Sequence, residues 1–204
     1  MFSRASKSYV RVLIALLAAT AAGPGWPSGW SEVREVDGVL VEARQTESGF
    51  NDHRAAVRVC TKLPVLEAFV ADPERFHEWL PHTRHAELLE RADDQLVYYV
   101  RSSSPWPLKD RDMVYRISRQ ADSGHVILHM VGLPDYAPAR RGAAPIQAAA
   151  GRWQLTDSGA GLEVRYQLFV NPGPVPPFAA NGRMASTVGK TLANLAALFP
   201  CAQT

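Results

Sequence analysis

The chain has 204 residues, with 22 Lys and Arg against 20 Asp and Glu, for a formal net charge of +2. At roughly 150 residues per domain, that length fits one domain plus a targeting segment, and such a domain is long enough to bury a full core. No Lys/Arg cluster falls on one predicted face, which argues against a nucleic-acid partner.

Arg4, Lys7 and Arg11 form a positive start, followed by a short apolar run from Val12 to Ala22. Small residues, Thr20-Ala21-Ala22, close it. The run is about half of the ~20 residues that cross a bilayer as a helix. Residues 1–22 therefore read as a secretory signal peptide, cleaved near Ala22, and the protein as exported and periplasmic. An uncleaved membrane anchor is the competing reading. Residues 23–29 are Pro/Gly-rich and read as a linker, leaving residues 30–204 as the domain.

Gly38 to Arg44 sets Val39, Val41 and Ala43 against Leu40, Glu42 and Arg44, the period of a strand. A second strand ends at Ala56 to Cys60. Pro64 suits the first turn of a helix carrying Val65, Leu66, Phe69 and Val70. Asp72-Pro73 interrupts it, and Phe76, Trp79 and Leu80 form a second short helix that Pro81 closes. Three hairpins follow: Glu87–Arg91 with Leu96–Arg101, Arg111–Ser118 with His125–Val131, and Ile146–Thr156 with Leu162–Val170. Leu133 to Gly142 reads as a loop. Asn171-Pro172-Gly173-Pro174 stops the last strand, and about Pro177 to Phe199 is helical. Hairpins in series with flanking helices give an α+β fold on an antiparallel sheet, without βαβ units or a Gly-rich phosphate loop.

Cys60 and Cys201 are the two cysteines. In an exported protein they either pair, stapling the C-terminal tail to the body, or serve as independent small apolar residues. His77, His82 and His85 match no common zinc spacing and read as solvated or capping side chains. There is no Gly-x-Ser-x-Gly nucleophile turn. No metal, cofactor or catalytic residue is expected.

The segment Trp106-Pro107-Leu108-Lys109-Asp110-Arg111-Asp112 and the strand after it resemble a motif of the START domains. These form the lipid-transfer family related to the steroidogenic acute regulatory protein. Asp37-Gly38-Val39, Asp72-Pro73, Glu78-Trp79-Leu80-Pro81, Gly151-Arg152-Trp153, Asn171-Pro172-Gly173 and Pro176-Pro177 leading into Asn181 follow in the family's order. The resemblance spans about Trp30 to Phe199. It implies a helix-grip fold, a curved antiparallel sheet around a long C-terminal helix, with an internal hydrophobic cavity. It implies binding, and transfer, of one lipid or other hydrophobic small molecule, with transient contact to a membrane surface. The protein is expected to act as a monomer, with the terminal helix as the gate.

Alternation then names a candidate lining. Arg111, Met113, Tyr115 and Ile117 share one face of a strand, Tyr98 and Val100 one face of its neighbour, and Val164 and Tyr166 one face of the last strand. Met184, Val188, Leu192 and Leu195 form a stripe on the terminal helix. Periodicity reports burial, so ordinary packed core is the competing reading for each. In sterol-binding relatives a buried acid and arginine face each other; the corresponding positions here are Tyr98 and Ile117. The resemblance thus implies a more apolar pocket, with the Tyr98 and Tyr115 hydroxyls as candidate anchors. Arg111 is either a head-group contact or half of an ion pair, with Asp110 or another acid. Two other functions stay open. One is a polyketide cyclase or aromatase of the same superfamily, and the other is a ligand-sensing module that binds a partner.

Overall fold

The computed structural model describes residues 29–137 and 140–202. The expected signal peptide, and the linker as far as residue 28, lie outside them. In chain order the elements are β1 (Ser31–Val36), β2 (Val39–Arg44), β3 (Asp52–Val59), α1 (Leu63–Val70), a 3-10 turn (Pro73–Arg75) and α2 (Phe76–Trp79). Then come β4 (Thr83–Ala92), β5 (Gln95–Ser102), β6 (Asp110–Asp122), β7 (His125–Gly132), β8 (Ala143–Pro145), β9 (Ala148–Asp157), β10 (Leu162–Asn171) and α3 (Pro177–Leu198). No helix among the described residues is long and apolar enough to cross a membrane.

All the strands form one sheet in the order β1-β2-β3-β10-β9-β7-β6-β5-β4, antiparallel throughout. The exception is β8, which runs parallel to the first residues of β6. β7 reaches β6 only from Tyr115 onward. β8 therefore supplies the missing partner to Asp110, Arg111 and Asp112. The sheet is open, with β1 and β4 as its edges.

α1, α2 and α3 cover its inner face. Alternation places the inner residues: Val39, Val41 and Ala43 of β2, and Leu162, Val164, Tyr166, Leu168 and Val170 of β10, are buried while their neighbours are not. α3 begins on Pro177, whose missing N–H costs nothing in a first turn. It buries Ala185, Val188, Thr191, Leu192 and Leu195. Gly189 lets it lie directly on β1 and β2, since a Cβ there would stand 2.7 Å from Val36 Cβ. The disulfide Cys60–Cys201 joins the chain beyond α3 to the end of β3. The two cysteines pair, and the Cys60 N–H also donates to the Phe199 carbonyl at 3.0 Å.

The middle of the inner face is filled by aromatic rings. Trp153 stacks on Tyr166 with centroids 3.9 Å apart, Tyr98 on Tyr115 at 5.6 Å, and Trp79 meets Trp153 at 5.7 Å. Phe76 meets Tyr98 edge-on. Burial holds the Tyr98, Tyr115 and Tyr166 hydroxyls neutral well above the usual tyrosine range. The outer face is also partly covered: Val97, Tyr99 and Val114 form a second small cluster with Leu89 and Leu133. β5 therefore buries both faces along Leu96 to Tyr99.

The raised tyrosine pKa values make an alkaline limit. The unfolded chain ionises its tyrosines near pH ~10 while the folded one does not, so stability present below that pH falls as pH rises. Tyrosinate absorbance from these three rings should appear together with loss of circular dichroism. Stepwise ionisation in a still-folded protein would contradict the packing. The glycines of α3 offer a second check by thermal denaturation. Gly182→Ala meets nothing within 4 Å and should stabilise by about 0.5–1 kcal/mol through helix propensity. Gly189→Ala forces α3 off β1 and should cost about 1–3 kcal/mol.

Candidate functional site

A cavity of about 310 Å³ remains at one end of the inner face, where β6 begins, β10 ends and α3 starts. Its apolar lining comes from Tyr115, Ile146, Leu168, Val170, Val175, Ala179, Ala180 and Met184, with Pro105 and Leu108 toward solvent. His82, Ser102, Ser103, Ser104, Arg111, Arg183 and Thr187 supply the polar groups. The chain around it is punctuated by prolines: Pro81, Pro105, Pro107 and the four of Asn171 to Pro177. They end β10 and hold the neighbouring loops away from regular pairing.

β8 brings Ile146 into the lining, because its N–H donates to the Asp112 carbonyl at 2.9 Å. Arg111, on the inner face of β6, bridges two strand ends. Its Nε donates to the Pro172 carbonyl at 3.0 Å and its Nη1 to the Lys109 carbonyl at 2.6 Å. The partners are thus backbone carbonyls and not Asp110, which is held by Arg101, Arg84 and the Ser104 N–H. Asp112 faces the other way, accepting from the Tyr99 hydroxyl at 3.2 Å and the Arg140 N–H at 2.9 Å.

Arg183 enters from α3 and donates through Nη2 to the Ser103 carbonyl at 2.7 Å. Burial lowers its pKa from the usual arginine value. The His82 carbonyl accepts from the Ser103 N–H at 2.8 Å, and its backbone is left-handed at φ +66°. Burial, then the neighbouring Arg183 charge, lowers the His82 pKa, so the ring is neutral at pH 7. Among the described residues, no cluster of three or more His, Cys, Asp or Glu is placed to hold a metal.

Of the lining expected from the sequence, Arg111, Tyr115 and Met184 meet at the cavity. Tyr98, Met113, Ile117, Val164, Tyr166, Val188, Leu192 and Leu195 lie in the packed core, and Val100 packs partly buried against it. The Tyr98 hydroxyl is already used, donating to Met130 Sδ at 3.1 Å. Alternation identifies the face a residue buries; it is silent on whether the space beside that face is filled. Beside its apolar walls the cavity carries two arginines, the expected Arg111 and also Arg183. The sequence reading leaves Arg183 out, and takes His82 for a solvated or capping side chain, whereas it lines the cavity. A signal for Arg183 exists: it sits on the helical face of Ala180, Met184 and Thr187, a charge within an otherwise small and apolar stripe.

No family model matches the chain. It is 26% identical over 178 residues to uncharacterized protein PA1579 of Pseudomonas aeruginosa, covering 85% of this chain and 88% of that one. Its structure is similar to a STAR-related lipid transfer protein (fragment 25–204) from Xanthomonas axonopodis. The identity there is 31% and the TM-score 0.77, over 83% of this chain and 98% of that one. A fold likeness extends to the Zhui aromatase/cyclase from Streptomyces sp. R1128, at 16% identity and a TM-score of 0.51, over 72% and 90% of the two chains. With an open antiparallel sheet gripping a C-terminal helix, and this identity across nearly all of a STAR-related lipid transfer protein, the chain belongs to the STAR-related lipid transfer (START) family.

Proposed function

We propose that the protein binds one lipid in the cavity under the first turns of α3, and carries it as an exported, monomeric protein without transforming it. The observation that carries this reading is the cavity itself. It is apolar on its inner walls, about 310 Å³ in volume, and within the range of small-molecule sites, roughly 300–1,000 Å³. The lipid-transfer relative described above supports the ligand class. The Cys60–Cys201 bond supports an oxidising compartment, and so export to the periplasm.

The same end of the molecule suits contact with a membrane. Trp106, 92% exposed, sits between the cavity-lining Pro105 and Leu108. Phe178, 82% exposed, sits between the lining residues Val175 and Ala179. Two bare aromatic rings beside a lipid-sized opening are placed to enter a bilayer interface, where aromatic side chains are favoured. The gate would be the first two turns of α3. None of residues 177–184 is fully buried. Polar latches hold this stretch. The Asn181 side-chain Oδ1 accepts from the Asn51 N–H at 2.8 Å, its Nδ2 donates to the Gly49 carbonyl at 3.1 Å, and Arg183 Nη2 donates to the Ser103 carbonyl.

A second reading, an aromatase/cyclase activity, draws on the fold likeness and on the neutral His82 ring and Tyr115 hydroxyl in the lining. Turnover of a polyketide thioester that stops in His82→Ala would favour it.

Native mass spectrometry of the purified protein should show one co-purifying lipid per chain, and failure to bind any lipid from mixed vesicles would overturn the reading. Asn181→Ala removes the latch to residues 49 and 51. It should raise hydrogen exchange across residues 177–184 and speed lipid exit several-fold, while costing only about 0.5–1.5 kcal/mol per lost bond. Replacing both Trp106 and Phe178 with Ser should slow transfer between vesicles and leave the melting temperature nearly unchanged. Equal transfer rates would remove the membrane contact from this face.

A further inference from the structure

Resting on the lipid-binding reading, we infer that the ligand is a single-chain anionic amphiphile. Its acidic head sits between Arg111 and Arg183, and its chain runs inward against Ile146, Leu168 and Val170. The argument begins with charge. Arg111 is 9% exposed, and among the described residues neither it nor Arg183 has a carboxylate partner. Each instead leans on backbone carbonyls, which leave the positive charge uncompensated. No Asp or Glu lines the cavity among the described residues. Asp110, the nearest acid in sequence, is occupied by Arg101 and Arg84. A buried guanidinium and a half-buried one, both without a counter-ion among the described residues, are costly by themselves, and an anion between them offsets that cost.

Geometry brings the two together. Ser102 of β5 stands opposite Arg111 of β6 in the ladder. Arg183 reaches down from α3 to the carbonyl of Ser103, the next residue. Both guanidiniums therefore gather at the same end of β5. Among the described residues, Arg111 Nη2 has no acceptor, and neither have Arg183 Nε and Nη1. Charged N–H donors left over in this way suit the oxygens of a carboxylate or phosphate. The neutral His82 adds a ring without a competing charge.

Size sets the chain. A volume of about 310 Å³ holds roughly ten groups of a water's size, at about 30 Å³ each. That accommodates one medium alkyl chain. On its inner side the cavity meets the aromatic core at Tyr115, which stacks on Tyr98.

Calorimetry on the delipidated protein can separate the possibilities, using decanoate, decyl phosphate, decanol and dimyristoyl phosphatidylcholine vesicles. The expected result is that decanoate or decyl phosphate binds at least tenfold more tightly than decanol; the better of the two names the acid. In the Arg111→Gln/Arg183→Gln double variant that ratio should fall to near one. Arg183→Lys, which keeps the charge, should retain most of the preference, and it stands in if the double variant fails to fold. Decanol binding as tightly as the anions to the unaltered protein would overturn the head-group assignment and leave lipid binding intact. Binding of the phosphatidylcholine but of none of the single-chain probes would overturn the chain assignment. Binding of none of the four would remove the lipid-binding reading together with this one.

Discussion

The cavity exists because α3 is held firmly at one end only. From Ala185 onward the helix buries a side chain in every turn, and Gly189 lets its backbone lie against Val36 and Val41. The Asn194 amide donates to the Trp79 carbonyl at 2.8 Å, and the Cys60–Cys201 bond pins the chain beyond. The first two turns have no such support. Ala179 and Ala180 are too small to reach the sheet, Gly182 faces open space, and the neighbouring bonds are polar. A rod anchored at one end and spaced off at the other leaves a wedge, and the wedge is the cavity. Local opening in proteins draws on segments with few buried apolar contacts and solvent-reachable hydrogen bonds. The start of α3 has both properties, and its end has neither.

The sheet contributes the complementary feature. β6 changes partner along its length, from β7 to the three-residue β8. At that change the ladder loses its long neighbour, and the inner side chain at the switch is Arg111 rather than an aliphatic residue. A guanidinium there satisfies the carbonyls of Pro172 and Lys109 that the broken ladder leaves over. The same residue is therefore structural through two of its donors and open to a ligand through the others. The choice between a head-group contact and a structural partner does not divide cleanly for Arg111, and the structural half is met by backbone oxygens.

Periodic elements were the readable part of this chain. β2 and β10 alternate without error, and α3 was expected over about 177–199 and runs over 177–198. β1 was not expected, because its residues are almost all exposed and carry no apolar period. β8 has three residues and ends in proline, too short for any periodic signal. The outer cluster of Val97, Tyr99 and Val114 packs against Leu89 and Leu133, and Arg140 lies over the Tyr99 ring, contacts that a local pattern cannot foretell. The disulfide depended on a distance across 141 residues of chain. For the site, the sequence marked which face was inner and not where that face was empty. Trp153, Trp79 and Phe76 come from other elements and fill the middle, so most of the expected lining became core.

Magnitudes bear on why the wedge persists. A dry apolar void of about 310 Å³ would cost about 7 kcal/mol at ~24 cal/mol per Å³. That is comparable with the whole stability of many domains, roughly 5–15 kcal/mol. The figure is an upper bound here, because Ser102, Ser103, Ser104 and the two arginines let water into the mouth. The inner walls of Ile146, Leu168 and Val170 give water no partners. Larger side chains at Ala179 or Ala180, which line it, would fill the space. A cavity that is wet and cationic outside, dry inside and easily closed by substitution is matched by a molecule with the same gradient, polar and negative at one end and hydrocarbon at the other.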